Sequence, residues 1–197
     1  MSCDDKASST RPTFYVRDFQ IEDAKACANI WKNGLDQTWK QYWFLQKFWK
    51  RSMERLAQDA LAPDGDVGPD GKNLHKIWMK SDRKMIVAVT KAHDNNQEEH
   101  EMVIGCVAVK RGCNETTDAL VTDHRFAIFR WSVDEQWRGL GVGKALVIAA
   151  EEFAKQNAGT ELWAITANPI SSLSLKKMGF VTTFSFFGYC HLYKILK

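Results

Sequence analysis

The residues of this chain best suited to chemistry form one short string, Gln136-Trp137-Arg138-Gly139-Leu140-Gly141-Val142-Gly143-Lys144-Ala145, set between an expected strand and an expected helix. Glycines at 139, 141 and 143 let the backbone approach a ligand closely. The unpaired amides of the helix's first turn, with the positive end of its dipole, make a seat for an anion, above all a phosphate. Arg138 and Lys144 add charge at its rim. The string therefore nominates Arg138, Gly139, Leu140, Gly141, Val142, Gly143 and Lys144 as ligand-binding residues.

Two common glycine loops do not fit. A Walker loop requires a glycine five residues before its Gly-Lys pair and a Ser or Thr after it, but Arg138 and Ala145 stand there, so no metal-binding hydroxyl is present. A dinucleotide-binding turn has the spacing G-x-G-x-x-G near the start of a βαβ unit. Here the spacing is G-x-G-x-G and several strands precede it. What remains is R-x-x-G-x-G running into a helix, suited to wrapping a pyrophosphate with successive amides.

The elements that must position this turn can be read from periodicity. Phe14 to Phe19 alternates as a first strand, and Ala24, Cys27, Ala28, Trp31 and Leu35 recur at helical spacing after it. A second helical segment, Thr38 to Ala60, interleaves aromatic residues with Lys and Arg. Residues 61–73, LAPDGDVGPDGKN, read as a surface loop, and Leu74 to Met79 as a short helix. Lys84 to Thr90 and Met102 to Val109 are β-branched runs that predict an antiparallel hairpin. Phe126 to Val133 reads as a central strand, Gly141 to Gln156 as a helix, Leu162 to Ala167 as a strand and Ile170 to Met178 as a helix. A terminal pair of strands turns near Gly188. The order predicts an α/β fold, one mixed sheet with helices on both faces.

Composition narrows the function classes. A chain of 197 residues supports one domain, here 13–197, behind a polar tail over 1–12. A net charge of +3 is too mild to imply nucleic acid. No apolar run reaches the length of a spanning helix, and the first residues carry no apolar signal region, so the expected location is cytoplasmic. The five cysteines are scattered without a CxxC pair, which predicts reduced thiols and no zinc site.

A second string, Asn168-Pro169-Ile170-Ser171-Ser172-Leu173-Ser174-Leu175-Lys176-Lys177-Met178-Gly179-Phe180, follows the next strand. With both strings in place, the sequence resembles the GCN5-related N-acetyltransferase (GNAT) superfamily, whose members pair a (Q/R)-x-x-G-x-(G/A) turn with a downstream Asn and Gly-Phe. The stretch FRWSVDEQWRGLGVGKAL is also similar to that of membrane-associated cysteine-conjugate acetyltransferases of the superfamily, although their long hydrophobic hairpin has no counterpart here. The resemblance implies a mostly antiparallel sheet splayed at the central strand, with acetyl-CoA bound in the gap as a substrate and no metal. It implies that Trp131, Ser132 and Val133 offer backbone groups to the pantetheine amides, that 138–144 hold the pyrophosphate, and that Asn168, Ser171 and Ser172 flank the pantetheine arm. Asn168 can equally cap the helix it precedes, with Pro169 at its first position.

Acetyl transfer to an amine needs a proton acceptor for the amine and, where the leaving group demands it, an acid. A backbone amide near Val133 can polarise the thioester carbonyl. Many members place the acid as a Tyr four residues before Gly-Phe; here that place is Leu175. Ser171, Ser172, Ser174 and Tyr189 are substitutes. The central strand carries no carboxylate, its only charge being Arg130, which leaves Asp123 as the candidate base. Asp134, Glu135 and Glu161 read as solvated or capping residues, and His124 as an ordinary loop histidine. Three roles stay open for the aromatic segment 38–60: core and lid, wall of an acceptor pocket, or contact with a membrane surface. The reading is an acetyl-CoA-dependent N-acetyltransferase acting on a primary amine by direct transfer in a ternary complex. Its alternative is a CoA-binding sensor or interaction module with a degraded active site; a homodimer is left open.

Overall fold

The computed structural model describes residues 13–41, 81–93, 99–112, 124–186 and 189–197. The expected tail, the segment 42–60, the loop 61–73, the short helix Leu74 to Met79 and Asp123 lie outside the described residues.

Seven strands form one sheet: β1 (Tyr15–Asp18), β2 (Arg83–His93), β3 (Glu99–Arg111), β4 (Arg125–Val133), β5 (Glu161–Thr166), β6 (Val181–Phe186) and β7 (Tyr189–Ile195). Their order is β1-β2-β3-β4-β5-β7-β6. All neighbours are antiparallel except β4 and β5, which run parallel. Among the described residues three α-helices accompany them: α1 (Ala24–Gln41), α2 (Val142–Gln156) and α3 (Pro169–Lys177). This is the mixed, mostly antiparallel sheet with helices on both faces that the sequence predicts.

The hairpin strands read as unbroken apolar runs because both of their faces are covered. Along β2, Met85, Val87 and Val89 join a cluster with Ala24 and Cys27 of α1, while Ile86 and Ala88 join a larger cluster with Leu146, Val147 and Ala150 of α2. Alternate side chains thus feed opposite cores, and no polar face remains to betray the period of two. Leu175 of α3 enters the α2 cluster. Each such large side chain, removed from water, contributes on the order of 1.5–3 kcal/mol.

One expectation about α1 needs correction. The sequence suggests a break between Leu35 and Thr38, but a single helix runs through to Gln41. Gly34, which would ordinarily weaken a helix by about 1 kcal/mol relative to Ala, is there for contact. A methyl placed on it would sit 3.0 Å from Ser132 Oγ, so glycine lets α1 lie directly on β4.

Strand β4 organises the functional end of the sheet. It pairs with β5 only from Arg125 opposite Glu161 to Ile128 opposite Ala164. Beyond that, Ile165 and Thr166 of β5 stay with His191 and Cys190 of β7, while β4 continues to Val133 along β3. The two parallel strands therefore part and leave a gap at their carboxyl ends. The register of β3 and β4 shifts at the same level: Cys106 faces Ser132 and Ala108 faces Phe129, so β4 holds one extra residue there. Arg130 in that bulge has φ 51°, a left-handed conformation that costs a non-glycine residue on the order of 1–3 kcal/mol.

The turn from α2 into β5 supplies a test of these close contacts. A Cβ at Gly159 would lie 2.7 Å from both Ala154 O and a Phe126 ring carbon, which neither backbone nor buried ring can easily yield. Gly159→Ala is expected to destabilise the fold by about 1–3 kcal/mol in urea unfolding; an unshifted midpoint would mean that the turn relaxes freely.

Candidate functional site

The site is built where β4 outlives its pairing with β5. Asp134 N–H donates to Ile104 O at 2.9 Å, on the β3 side. Because successive peptide N–H groups of an extended strand point to opposite edges, the Val133 N–H faces the edge that β5 has left. Val133 O accepts from Arg138 Nε at 3.0 Å, so the guanidinium doubles back onto the end of β4. Trp131, Ser132 and Val133 are all half-buried.

The glycine turn begins with a short 3-10 segment, Glu135–Trp137, capped by Asp134, whose Oδ1 accepts from Gln136 N at 3.1 Å. Gly139 at φ 78° and Gly141 at φ 92° need glycine for their conformation, and a Cβ on either would meet nothing within 4 Å. The space on the Cβ side of both glycines is therefore open. Gly141 is the N-cap of α2 and offers no side-chain cap, and the first turn of α2 holds no acidic residue. The first intrahelical bond runs from Ala145 N to Gly141 O. The amides of Val142, Gly143 and Lys144 consequently have no acceptor within the helix, and no carboxylate offsets the dipole. Val142 is buried in the core, so only its N–H can serve a ligand, whereas Lys144 and Leu140 are exposed. Gly143 differs from the other glycines: a Cβ there would sit 3.1 Å from the Trp131 ring, whose Nε1 donates to Gly143 O at 3.1 Å.

The second string begins as a capped helix. Asn168 Oδ1 accepts from Ile170 N at 2.9 Å and Ser171 N at 3.3 Å, with Pro169 in the first turn of α3. Of the two readings open for Asn168, the structure shows the cap. Ser171 is half-buried, Ser172 is buried, and Ser174 Oγ donates to Ile170 O at 2.8 Å. Leu175, at the place where the resemblance leads one to expect a Tyr, is 1% exposed and packed in the core. Tyr189 opens β7, one residue before Cys190, which pairs with the end of β5 at Thr166. It thus shares the gap end of the sheet with Val133 and Asn168.

No carboxylate stands ready on β4. Asp134 caps the turn, and Glu161 Oε2 accepts from Trp163 Nε1 at 2.9 Å and pairs with Arg125. Buried Arg130 places its guanidinium carbon 5.2 Å from the Trp31 ring centre, on the α1 face. On that same face Cys27 and Cys106 meet in one apolar cluster. A hydrogen bond with Cys106, then burial, push the Cys27 thiol up, which keeps it protonated. Among the described residues no group of three or more His, Cys, Asp or Glu could hold a metal ion. No described helix is long and apolar enough to cross a membrane.

Sequence reasoning missed three features here: the Gly34 contact with Ser132, the Arg130 and Trp31 stack, and the Trp131 indole seated on Gly143. Only the first had a signal, a glycine inside a helical pattern.

Comparison with known proteins agrees with this geometry. The family model described as Acetyltransferase (GNAT) family matches residues 34–180. No match is found among curated proteins. The PaiA N-acetyltransferase of Thermoplasma acidophilum, solved in complex with coenzyme A, is similar with a TM-score of 0.60 at 14% identity, over 93% of this chain and 99% of that one. A GCN5-related N-acetyltransferase from Kribbella flavida gives a TM-score of 0.56 at 14% identity, over 93% of this chain and 98% of that one. A GNAT-family acetyltransferase from Staphylococcus aureus Mu50 gives 0.55 at 14%, over 94% of this chain and all 100% of that one. At such identities the likeness concerns the fold.

The cap assigns Asn168 a measurable part. Asn168→Ala is expected to cost ~1 kcal/mol of stability in chemical denaturation, while Asn168→Asp keeps most of it. Lost CoA binding at unchanged stability would instead assign the amide to the ligand.

Proposed function

The chain belongs to the GNAT acetyltransferase family, and on that premise we propose that it moves an acetyl group from acetyl-CoA to a primary amine by direct transfer. The observation that carries the reading is the juxtaposition of two sets of backbone N–H groups that lie outside the helix and sheet ladders. The uncapped amides of 142–144 begin nine residues after Val133, the end of β4, whose N–H faces the gap. An extended donor with a pyrophosphate at one end and amides along its arm complements both, the phosphates on α2 and the arm as an added strand. Gly139, Leu140 and Gly141 then contribute backbone, and Arg138 and Lys144 charge. Asn168, Ser171 and Ser172 border the arm from α3.

The amine nitrogen, neutral, attacks the thioester carbonyl carbon; the carbonyl oxygen gains the negative charge, which the Val133 N–H can bind. The carbon–sulfur bond then breaks, the amine proton leaves, and the thiolate is released or protonated. With the donor in the gap and its phosphates on the α2 face, the acceptor approaches from the α1 face, where Arg130 and Trp31 lie. The proton passes to water, or to Asp123. Tyr189 serves as acid for the thiolate in preference to Ser172, since its phenol is much the stronger acid of the two and stands at the gap end of β7. A protein nucleophile is not needed, and the protonated, buried Cys27 is poorly suited to be one. One domain over 13–197 suits strands from β1 to β7 that share one sheet, and free Cys27, Cys106 and Cys190 suit the cytoplasm.

A second reading, a CoA-binding sensor or module, is favoured by one observation: buried Leu175 fills the place of the usual acid. Release of free CoA thiol across a panel of amines separates the two. Turnover on any amine supports the enzyme; tight acetyl-CoA binding without turnover supports the module. Gly141→Asp is expected to raise the acetyl-CoA dissociation constant by roughly tenfold or more, because a carboxylate would face the pyrophosphate beside the helix N-terminus. Wild-type affinity in calorimetry would contradict the assigned seat. Tyr189→Phe is expected to lower kcat about tenfold or more with donor affinity unchanged, and an unaltered kcat would remove Tyr189 from the reaction.

A further inference from the structure

The bulge in β4 does more than loosen the sheet, because it inverts which side chains face which helix. Before it, Phe126 and Ile128 join the α2 cluster and Phe129 packs on the α1 cluster. Strict alternation would then send residue 130 to α2 and residue 131 to α1. Instead Arg130 lies against Trp31 of α1, Trp131 and Val133 pack on the α2 cluster, and Ser132 meets Gly34 of α1. The extra residue, held at φ 51°, has moved Trp131 to the face of the glycine turn.

There the indole makes two contacts with one residue. Nε1 donates to Gly143 O at 3.1 Å, and the ring packs closely on the bare Cα side of Gly143, with ring atoms 3.1 to 3.5 Å from where a Cβ would be. Trp131 also belongs to the strand segment whose edge faces the gap. A single side chain therefore ties the strand end to the first turn of α2.

We infer that Trp131 is a positioning residue, whose side chain sets the spacing between the gap edge of β4 and the phosphate-binding amides of α2, and so selects a donor that carries the nucleotide pyrophosphate. The inference rests on the acetyl-CoA reading above and adds a role for a side chain that the reading uses only through its backbone. Glycine at 143 thereby has a reason of its own, since its missing Cβ lets the indole pack closely on the first turn of α2.

The test compares two probes, CoA and pantetheine, which share the arm but differ in the nucleotide and its pyrophosphate. Dissociation constants for both are measured by calorimetry or displacement on wild type, Trp131→Phe and Gly143→Ala, with unfolding midpoints recorded alongside. Phenylalanine keeps a ring and loses the indole N–H; alanine at 143 pushes the ring from the other side. The expected result is a wild-type preference for CoA over pantetheine that falls roughly tenfold in both variants, through weaker CoA binding with pantetheine little changed. A variant that weakens both probes equally, or keeps the full preference in either substitution, overturns the positioning role and leaves the seat intact. Absence of any preference in the wild type overturns the seat itself.

Discussion

A single extra residue in β4 is the constraint on which the functional end of the fold depends. Arg130 is held in a left-handed conformation inside a strand, a strain of order 1–3 kcal/mol that the surroundings must offset. They do so from both faces. The guanidinium is buried over Trp31 on one side, and the indole of Trp131 is bonded to Gly143 on the other. The register shift against β3 falls where β4 loses β5, so strain and gap coincide. A regular strand would have continued its ladder and closed the edge that an extended ligand needs.

The second requirement is electrostatic and is met by omission. A well-stabilised helix would begin with a Ser, Thr, Asp or Asn cap and acidic residues in its first turn. Neither α2 nor α3 has an acid in its first turn, but α3 has its cap in Asn168 whereas α2 begins with Gly141 and has none. The contrast within one chain is informative, since only α2 follows the open glycine turn. First-turn amides without a side-chain cap and a dipole without first-turn acids favour an anion at that end of α2. Val142, sunk in the core, anchors the start of α2 while its N–H belongs to the helix's uncapped first turn.

Legibility in the sequence followed the range of the cause. Glycines 139 and 141 were readable because their requirement is local: a positive φ and nothing in the space beyond. The strands were readable as apolar runs, although burial on both faces hid their alternation. Helix α1 runs past the expected division between Leu35 and Thr38 to Gln41, and Gly34 within it lies against Ser132, a long-range contact invisible in a propensity pattern. The bulge could not be seen, since nothing in FRWSV marks Arg130 for a left-handed turn; only the pairing partners decide it. Asn168 carried two meanings at once, and a cap bond at 2.9 Å is a distinction of geometry rather than of residue type.

The thin catalytic inventory is what this architecture and this reaction would share. A thiolate is a far better leaving group than an alkoxide or amide, so the demand on an acid is small, and an amine acceptor brings its own nucleophile. Most of the barrier reduction must then come from holding donor and acceptor together and from a donor N–H aimed at the developing oxyanion, neither of which needs an ionisable side chain. Under the proposed reaction, that division would let core hydrocarbon occupy position 175 and Arg130 stand on β4, which carries no carboxylate. It also concentrates the functional burden on backbone spacing, where an error of an ångström outweighs the loss of a hydroxyl. The side chains that matter most are accordingly those that position peptide groups.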